Sequence, residues 1–273
     1  MNTVRVFYHF LADIYGNRKL LWHLSKNDFK SHYAASFLGV IWAFIQPLTS
    51  LLVIWFVFQV ALGNGAQDGY PFITWFAPAV LAWNFFSEAA INVTASVSGY
   101  SYLVRKVNFR VSILPIVKIV SASFVHLVML LVIVLFNVIY GVGISIYNVQ
   151  IIYYLCCTWF LLIGLGWLLS AISLFAPDVQ SFVNIALSVG FWATPICWNP
   201  SSFSEQSGVL NLLKALNPMF YIVEGYRDTF LGRGWFWERP MSITLVFWAT
   251  AIVLFVLGAF VFKKLRPQFA DVL

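Results

Sequence analysis

The feature that most constrains this chain is a succession of six apolar runs, each long enough to cross a bilayer and each separated from the next by a gap rich in charged or turn-forming residues. A spanning helix needs about 20 predominantly apolar residues, because the hydrocarbon core is about 30 Å thick and a helix rises about 1.5 Å per residue. The runs lie near residues 36–62, 70–97, 112–141, 150–175, 180–198 and 242–262. Pro71 and Pro78 fall in the second run and Pro195 near the end of the fifth; neighbouring helices can satisfy the carbonyls that such prolines free. Composition agrees, with 61% apolar residues, 10% charged residues and a mean hydropathy of +0.85. A soluble domain carries about 25% charged residues, so one aqueous core cannot hide this much apolar surface. The chain therefore reads as an all-α integral membrane protein of six transmembrane helices.

The positions of the charges set the expected topology. Arg5, Arg18, Lys19, Lys26 and Lys30 precede the first run, Arg105, Lys106 and Arg110 follow the second, and Lys263, Lys264 and Arg266 follow the sixth. An even number of spans puts these three segments on one side, whereas the gaps at 63–69 and 142–149 hold no Lys or Arg. Basic loops stay in the cytoplasm, so both termini are expected there. The net charge of +6 is distributed as a topology signal and not as a nucleic-acid footprint. Cys156, Cys157 and Cys197 form no CxxC or Cys/His cluster, which leaves buried thiols as their reading. No short apolar leader follows Met1.

Three segments outside the runs carry information. Residues 1–31 place Val4, Phe7, Tyr8, Leu11, Ile14 and Tyr15 at helical spacing with cations between them, as in an amphipathic helix lying in the inner interface. Residues 99–110 form a short basic connection that also holds Tyr100, Tyr102, Leu103, Val104 and Phe109. Such side chains suit either a docking surface for a cytoplasmic partner or a loop lying against the membrane. Residues 199–241 are too long and too apolar for an ordinary loop, and the Asn217-Pro218 break divides them. Two short helices that dip into the outer leaflet and return would account for both features. The whole is thus divided into the interface helix at 1–31 and a six-helix transmembrane domain at 32–273.

The chain lacks a GxxxxGK[ST] phosphate loop, HExxH, GxSxG and GxGxxG, so no catalytic site and no cofactor are expected in it. Glu88 and Lys118 are ionisable residues inside runs, at similar expected depth, and are expected to pair or to share a polar inner cavity. His126 is expected to be a packed, hydrogen-bonded core residue. Trp42, Phe44, Trp55, Phe58, Phe191 and Trp192 gather on the first and fifth runs. They suit a pathway for sugar rings, or simply packing and lipid contact. The outer residues Glu224, Arg227 and Asp228 are read as a brace between helices.

Several stretches resemble the permeases of polysaccharide-exporting ABC transporters. They are Asn27-Asp28-Phe29-Lys30-Ser31-His32-Tyr33, then Ser36 to Leu48, Leu103 to Phe109 with Ile113-Leu114-Pro115, Leu216 to Asp228, and the ending Phe269-Ala270-Asp271-Val272-Leu273. Asn27 stands where that family has Arg, and Pro177-Asp178 where it usually has Arg-Asp. The resemblance implies a homodimer in a bacterial plasma membrane, bound to two ATP-binding subunits that carry ATP and Mg²⁺. It implies that Lys26, Tyr102, Leu103, Arg105, Lys106, Asn108 and Asp178 face those subunits, and that a lipid-linked polymer passes between the two permease copies. Trp55-Phe56-Val57-Phe58-Gln59 and Tyr70-Pro71-Phe72 look like the wall teichoic acid exporters, with O-antigen or capsule export as the alternative. A secondary transporter or a membrane-bound glycosyltransferase is the alternative from another class.

Overall fold

The computed structural model describes residues 16–33, 37–63, 65–104, 109–202 and 208–273. Their regular structure is helical, and among these residues no strand forms. The first described helix, α1, runs Arg18–Tyr33. Next come α2 (Trp42–Trp55), which a wider π-turn extends through Phe56–Ala61, and α3 (Phe72–Thr94). Two single turns at Ser96–Gly99 and Ser101–Val104 lead towards α4 (Leu114–Ile139). Then follow α5 (Ile151–Phe175), α6 (Asp178–Ala193), the short α7 (Gly208–Leu216) and α8 (Pro218–Leu231), and the long α9 (Met241–Leu265). A final turn, α10, covers Phe269–Val272.

Among the described residues, four stretches are long and apolar enough to cross a membrane: Gly39–Ala61, Val111–Ile139, Ile146–Phe175 and Met241–Val272. The other two expected runs differ for separate physical reasons. α3 has ample length, but Asn84, Glu88 and Pro78 lower its mean apolarity. It tolerates them because 18 of its 23 residues are buried, so protein and not lipid surrounds it. α6 is apolar but has only 16 residues, about 24 Å at 1.5 Å each.

α3 is the axis of the bundle, with α4, α5, α6, α8 and α2 packed around it. α5 and α9 form the most extensive helix pair, and glycine sets their separation. A Cβ on Gly258 would stand 2.2 Å from the Gly164 carbonyl oxygen, and one on Gly164 would stand 2.7 Å from the Phe255 nitrogen. Small residues let helix backbones approach where lipid supplies no hydrophobic drive between helices. A second apolar core sits at the end of the bundle that carries α1. It joins Val97, Leu103 and Val104 to Trp167 and Leu174 of α5, Phe262 of α9 and Phe269 of α10.

α8 is buried at 11 of its 14 positions and is too short to span. Asn217 caps it by accepting the Met219 N–H at 3.0 Å, and Gly232 closes it in the left-handed region at φ 65°. Gly225 has no room for a Cβ, which would stand 2.0 Å from the Tyr154 ring.

Candidate functional site

At the α1 end, α1 leans on α4. Trp22 and Phe29, one heptad apart, both meet the Phe124 ring edge-on at 5.4 and 5.6 Å, and Ser25 is fully buried between them. This registry turns Asp28 inward. Its Oδ1 accepts from Lys118 Nζ of α4 at 2.5 Å and from the Tyr100 hydroxyl at 2.7 Å. Lys118 Nζ also lies 5.1 Å from the Tyr100 ring centroid. Burial, and then the hydrogen bond to Asp28, push the Tyr100 phenol well above its usual range and keep it a donor. One carboxylate therefore ties α1, the 99–104 connection and α4 into a single junction.

The expected Glu88–Lys118 ion pair is not formed, because Lys118 takes Asp28. Both residues nevertheless line one small polar cavity with Asp28, His32, Tyr33, Asn92 and Ser121. Glu88 also faces a neighbouring cleft of about 330 Å³, shared with Gln46, Ser50, Asn84, Asn92, His32 and Tyr33. Burial, and then the Glu88 carboxylate, raise the Tyr33 phenol.

The opposite end is built differently. Arg227 of α8 is completely buried. Its guanidinium donates from Nε to the Trp75 carbonyl at 3.2 Å, from Nη2 to the Ile196 carbonyl at 2.8 Å, and from Nη1 to Glu224. It also stacks on the Trp75 ring at 3.6 Å. Around it, Arg239 pairs with Asp228 and Arg233 with Asp68, the latter at 2.8 Å. Tyr70 donates to the Leu231 carbonyl at 2.9 Å, Asn137 to the Phe230 carbonyl at 2.7 Å and Gln150 to the Gly234 carbonyl at 2.8 Å. Burial opposes ionisation of Asp68, but hydrogen bonds from Asn199 and Arg233 and the Arg233 charge outweigh it and hold the carboxyl below its ordinary value.

The aromatic candidates do not form one lining among the described residues. Phe58 stacks on Phe72 at 6.0 Å and Phe191 meets Trp83 edge-on at 6.2 Å, so α2 and α6 each anchor rings on α3. Trp42 and Trp192 are exposed, at 45% and 63%, while Phe44 and Trp55 are half-buried, with Trp55 donating to Gln59 at 2.5 Å. Of the coupling candidates, Lys26, Tyr102 and Asp178 are exposed and Leu103 is buried in the second core. Arg105, Lys106 and Asn108 lie outside the described residues, as does the 4–15 part of the amphipathic helix. His126 packs on Phe85 at 4.3 Å and shares a hydrogen bond with the Tyr226 hydroxyl at 3.0 Å.

In the sequence, Asp28 stands out only as part of a motif and Tyr100 only as one more ring of the 99–110 connection. The usable signal was a carboxylate embedded in an otherwise basic amphipathic segment, which calls for a cation nearby. Phe269 was likewise read as a motif letter, although it packs edge-on against Phe262 at 5.3 Å and closes the second core.

Comparison with known proteins places this architecture. The chain is 26% identical over 265 residues to the O-antigen export system permease protein RfbA of Myxococcus xanthus, across 96% of this chain and 98% of the relative. It is 24% identical over 263 residues to the protein of the same name from Klebsiella pneumoniae, across 93% and 95%. The ABC-2 type transporter family matches residues 19–231, from the start of α1 to the end of α8. That interval includes the Asp28 junction, the polar cleft and the Arg227 brace, and the chain carrying them belongs to the ABC-2 type transporter family.

Proposed function

We propose that this chain is the transmembrane subunit of an ATP-driven exporter, and that its cargo is a lipid-linked polysaccharide of the O-antigen class. The observation that carries the reading is the end-to-end likeness to permeases named for O-antigen export. This favours the O-antigen alternative over the teichoic acid reading. The ATP site belongs to a separate subunit, since this chain has no phosphate loop. Two copies of the chain, each with six spans and with α7 and α8 re-entering from the outer side, would bind two such subunits. Both termini would face the cytoplasm, in keeping with the basic segments.

The Asp28 junction supports this mechanism. Force from an ATP-binding subunit reaches this chain through the exposed Lys26, Tyr102 and Asp178 and the basic 105–110 stretch. Asp28, Tyr100 and Lys118 then carry it as one body into α4. Movement of α4 relative to α3 opens a route for the cargo, with the exposed rings of Trp42 and Trp192 available for sugar faces. Wall teichoic acid remains the second reading, supported by Trp55-Phe56-Val57-Phe58-Gln59 and Tyr70-Pro71-Phe72.

The test is ATP hydrolysis by this chain co-purified with an ATP-binding subunit in nanodiscs, with polyprenyl-diphosphate-linked O-antigen or teichoic acid added. Hydrolysis that responds to the O-antigen and not to the teichoic acid is the expected result. The converse response selects the teichoic acid reading. Failure of any ATP-binding subunit to co-purify, with substrate still moved or modified, would return the question to a secondary transporter or an enzyme.

A further inference from the structure

The cleft between α1, α2 and α3 has no part in the junction that couples the helices, yet its chemistry is specific. Asn84, Glu88 and Asn92 recur every four residues and form one polar stripe on α3. Gln46 and Ser50, also four apart on α2, face them across the cleft, and His32 closes the α1 side. The stripe runs about 12 Å along α3. Among the described residues, the side chains of Gln46, Ser50, Asn84, Glu88 and Asn92 have no hydrogen-bond or ion-pair partner. Intramembrane polar groups are costly and are normally paired with one another. Here five of them converge on open space of about 330 Å³, within the range of about 300–1,000 Å³ typical of small-ligand pockets.

The charge balance narrows the ligand. Lys118, which lines the neighbouring cavity, is already paired with Asp28. The cleft itself presents the Glu88 carboxyl, the amides of Gln46, Asn84 and Asn92, the hydroxyls of Ser50 and Ser87, the Tyr33 phenol and the His32 imidazole, and no Lys or Arg, a set that accepts from and donates to alcohols and offers a diphosphate no fixed cation. We infer that this cleft binds the hydroxyl-rich sugar end of the lipid-linked cargo, with Glu88 accepting from ring hydroxyls and the Asn and Gln amides bridging them. The diphosphate would stay outside, towards the basic residues of α1. This inference rests on the export reading and adds to it a place where the sugar, as opposed to the lipid anchor, is read.

The test uses the complex with its ATP-binding subunit in nanodiscs, titrated with polyprenyl diphosphate bearing one N-acetylhexosamine and with polyprenyl diphosphate alone. Direct binding and ATP hydrolysis are both read. The wild type should prefer the sugar-bearing lipid by about tenfold, as one or two hydrogen bonds provide. Glu88→Gln should reduce that preference to within about twofold. Ser50→Ala and Gln46→Ala, on the less buried face of α2, should each reduce it part of the way and guard against a folding defect in the core variant. A wild type without preference, or variants that keep it in full, would overturn the sugar site. If hydrolysis responds to both lipids but the substitutions leave the preference intact, the sugar site fails and the export reading stands. If neither lipid binds or alters hydrolysis, both fall.

Discussion

Both ends of the helix bundle hold ionic side chains out of water, but the two ends treat them in opposite ways. At the α8 end, every charged group around Arg227 has its partner: two carbonyls, the Glu224 carboxylate and an aromatic face on the arginine itself, with Asp228–Arg239 and Asp68–Arg233 beside it. At the α1 end, Asp28 is shared between two donors on different elements, and a neighbouring stripe of polar groups lines an open cleft. A network with all its valences filled is rigid, because any movement leaves a desolvated group unpaired. A single shared acceptor beside an open polar cleft can transmit movement and receive a ligand. In the proposed mechanism the brace holds the bundle together and the junction carries the movement.

The largest effect expected from breaking that contrast is at Arg227. Arg227→Met removes donors from two carbonyls and strands Glu224, and should cost about 3–5 kcal/mol, read as a fall in the unfolding midpoint of the detergent-solubilised protein. Next is Gly225→Ala, whose new methyl group meets the Tyr154 ring. A cost of about 1–3 kcal/mol is expected from overpacking, and the same assay checks it. By contrast, Ser50→Ala at the cleft should change stability by no more than about 0.5 kcal/mol; a large loss there would erase the distinction between the two ends.

The smallest effect concerns Asp68. Its carboxyl is held below the ordinary value, so its stabilising contribution is present above the unfolded value of about 3.9 and fades as pH falls through the lower folded value. Between about pH 7 and pH 3, the wild type should therefore lose more of its protection from proteolysis in the 63–72 connection than Asp68→Asn does. Equal losses would show that the Arg233 and Asn199 contacts do not fasten this connection.

The apolar runs and their breaks were legible because lipid imposes a length on every span and Pro or Gly marks most of the ends. The Asn217-Pro218 break divides α7 from α8 as the sequence indicated. α3 tests the limit of that logic, since average apolarity understates a helix that other helices enclose. Counting residues from the ends of two runs placed Glu88 and Lys118 at the same level. It carried no information on which way each faces, nor on where an interfacial helix lies, and Asp28 entered the junction for that reason. The carbonyl partners of Arg227 were equally beyond reach, because backbone oxygens freed near Trp75 and Ile196 depend on how α3 and the 194–199 turn pack against α8.

The account rests most heavily on Asp28 as the joint between the interface helix, the connection after α3 and the spanning helix α4. The most direct measurement is the amount of polymer exported per ATP hydrolysed by the reconstituted complex bearing Asp28→Asn, Tyr100→Phe or both. The account predicts that each single substitution lowers this ratio about tenfold and that the double variant is no worse than Asp28→Asn alone, since two groups on one acceptor act as a unit. A ratio unchanged from the wild type in Asp28→Asn, with hydrolysis and export falling together or not at all, would contradict it.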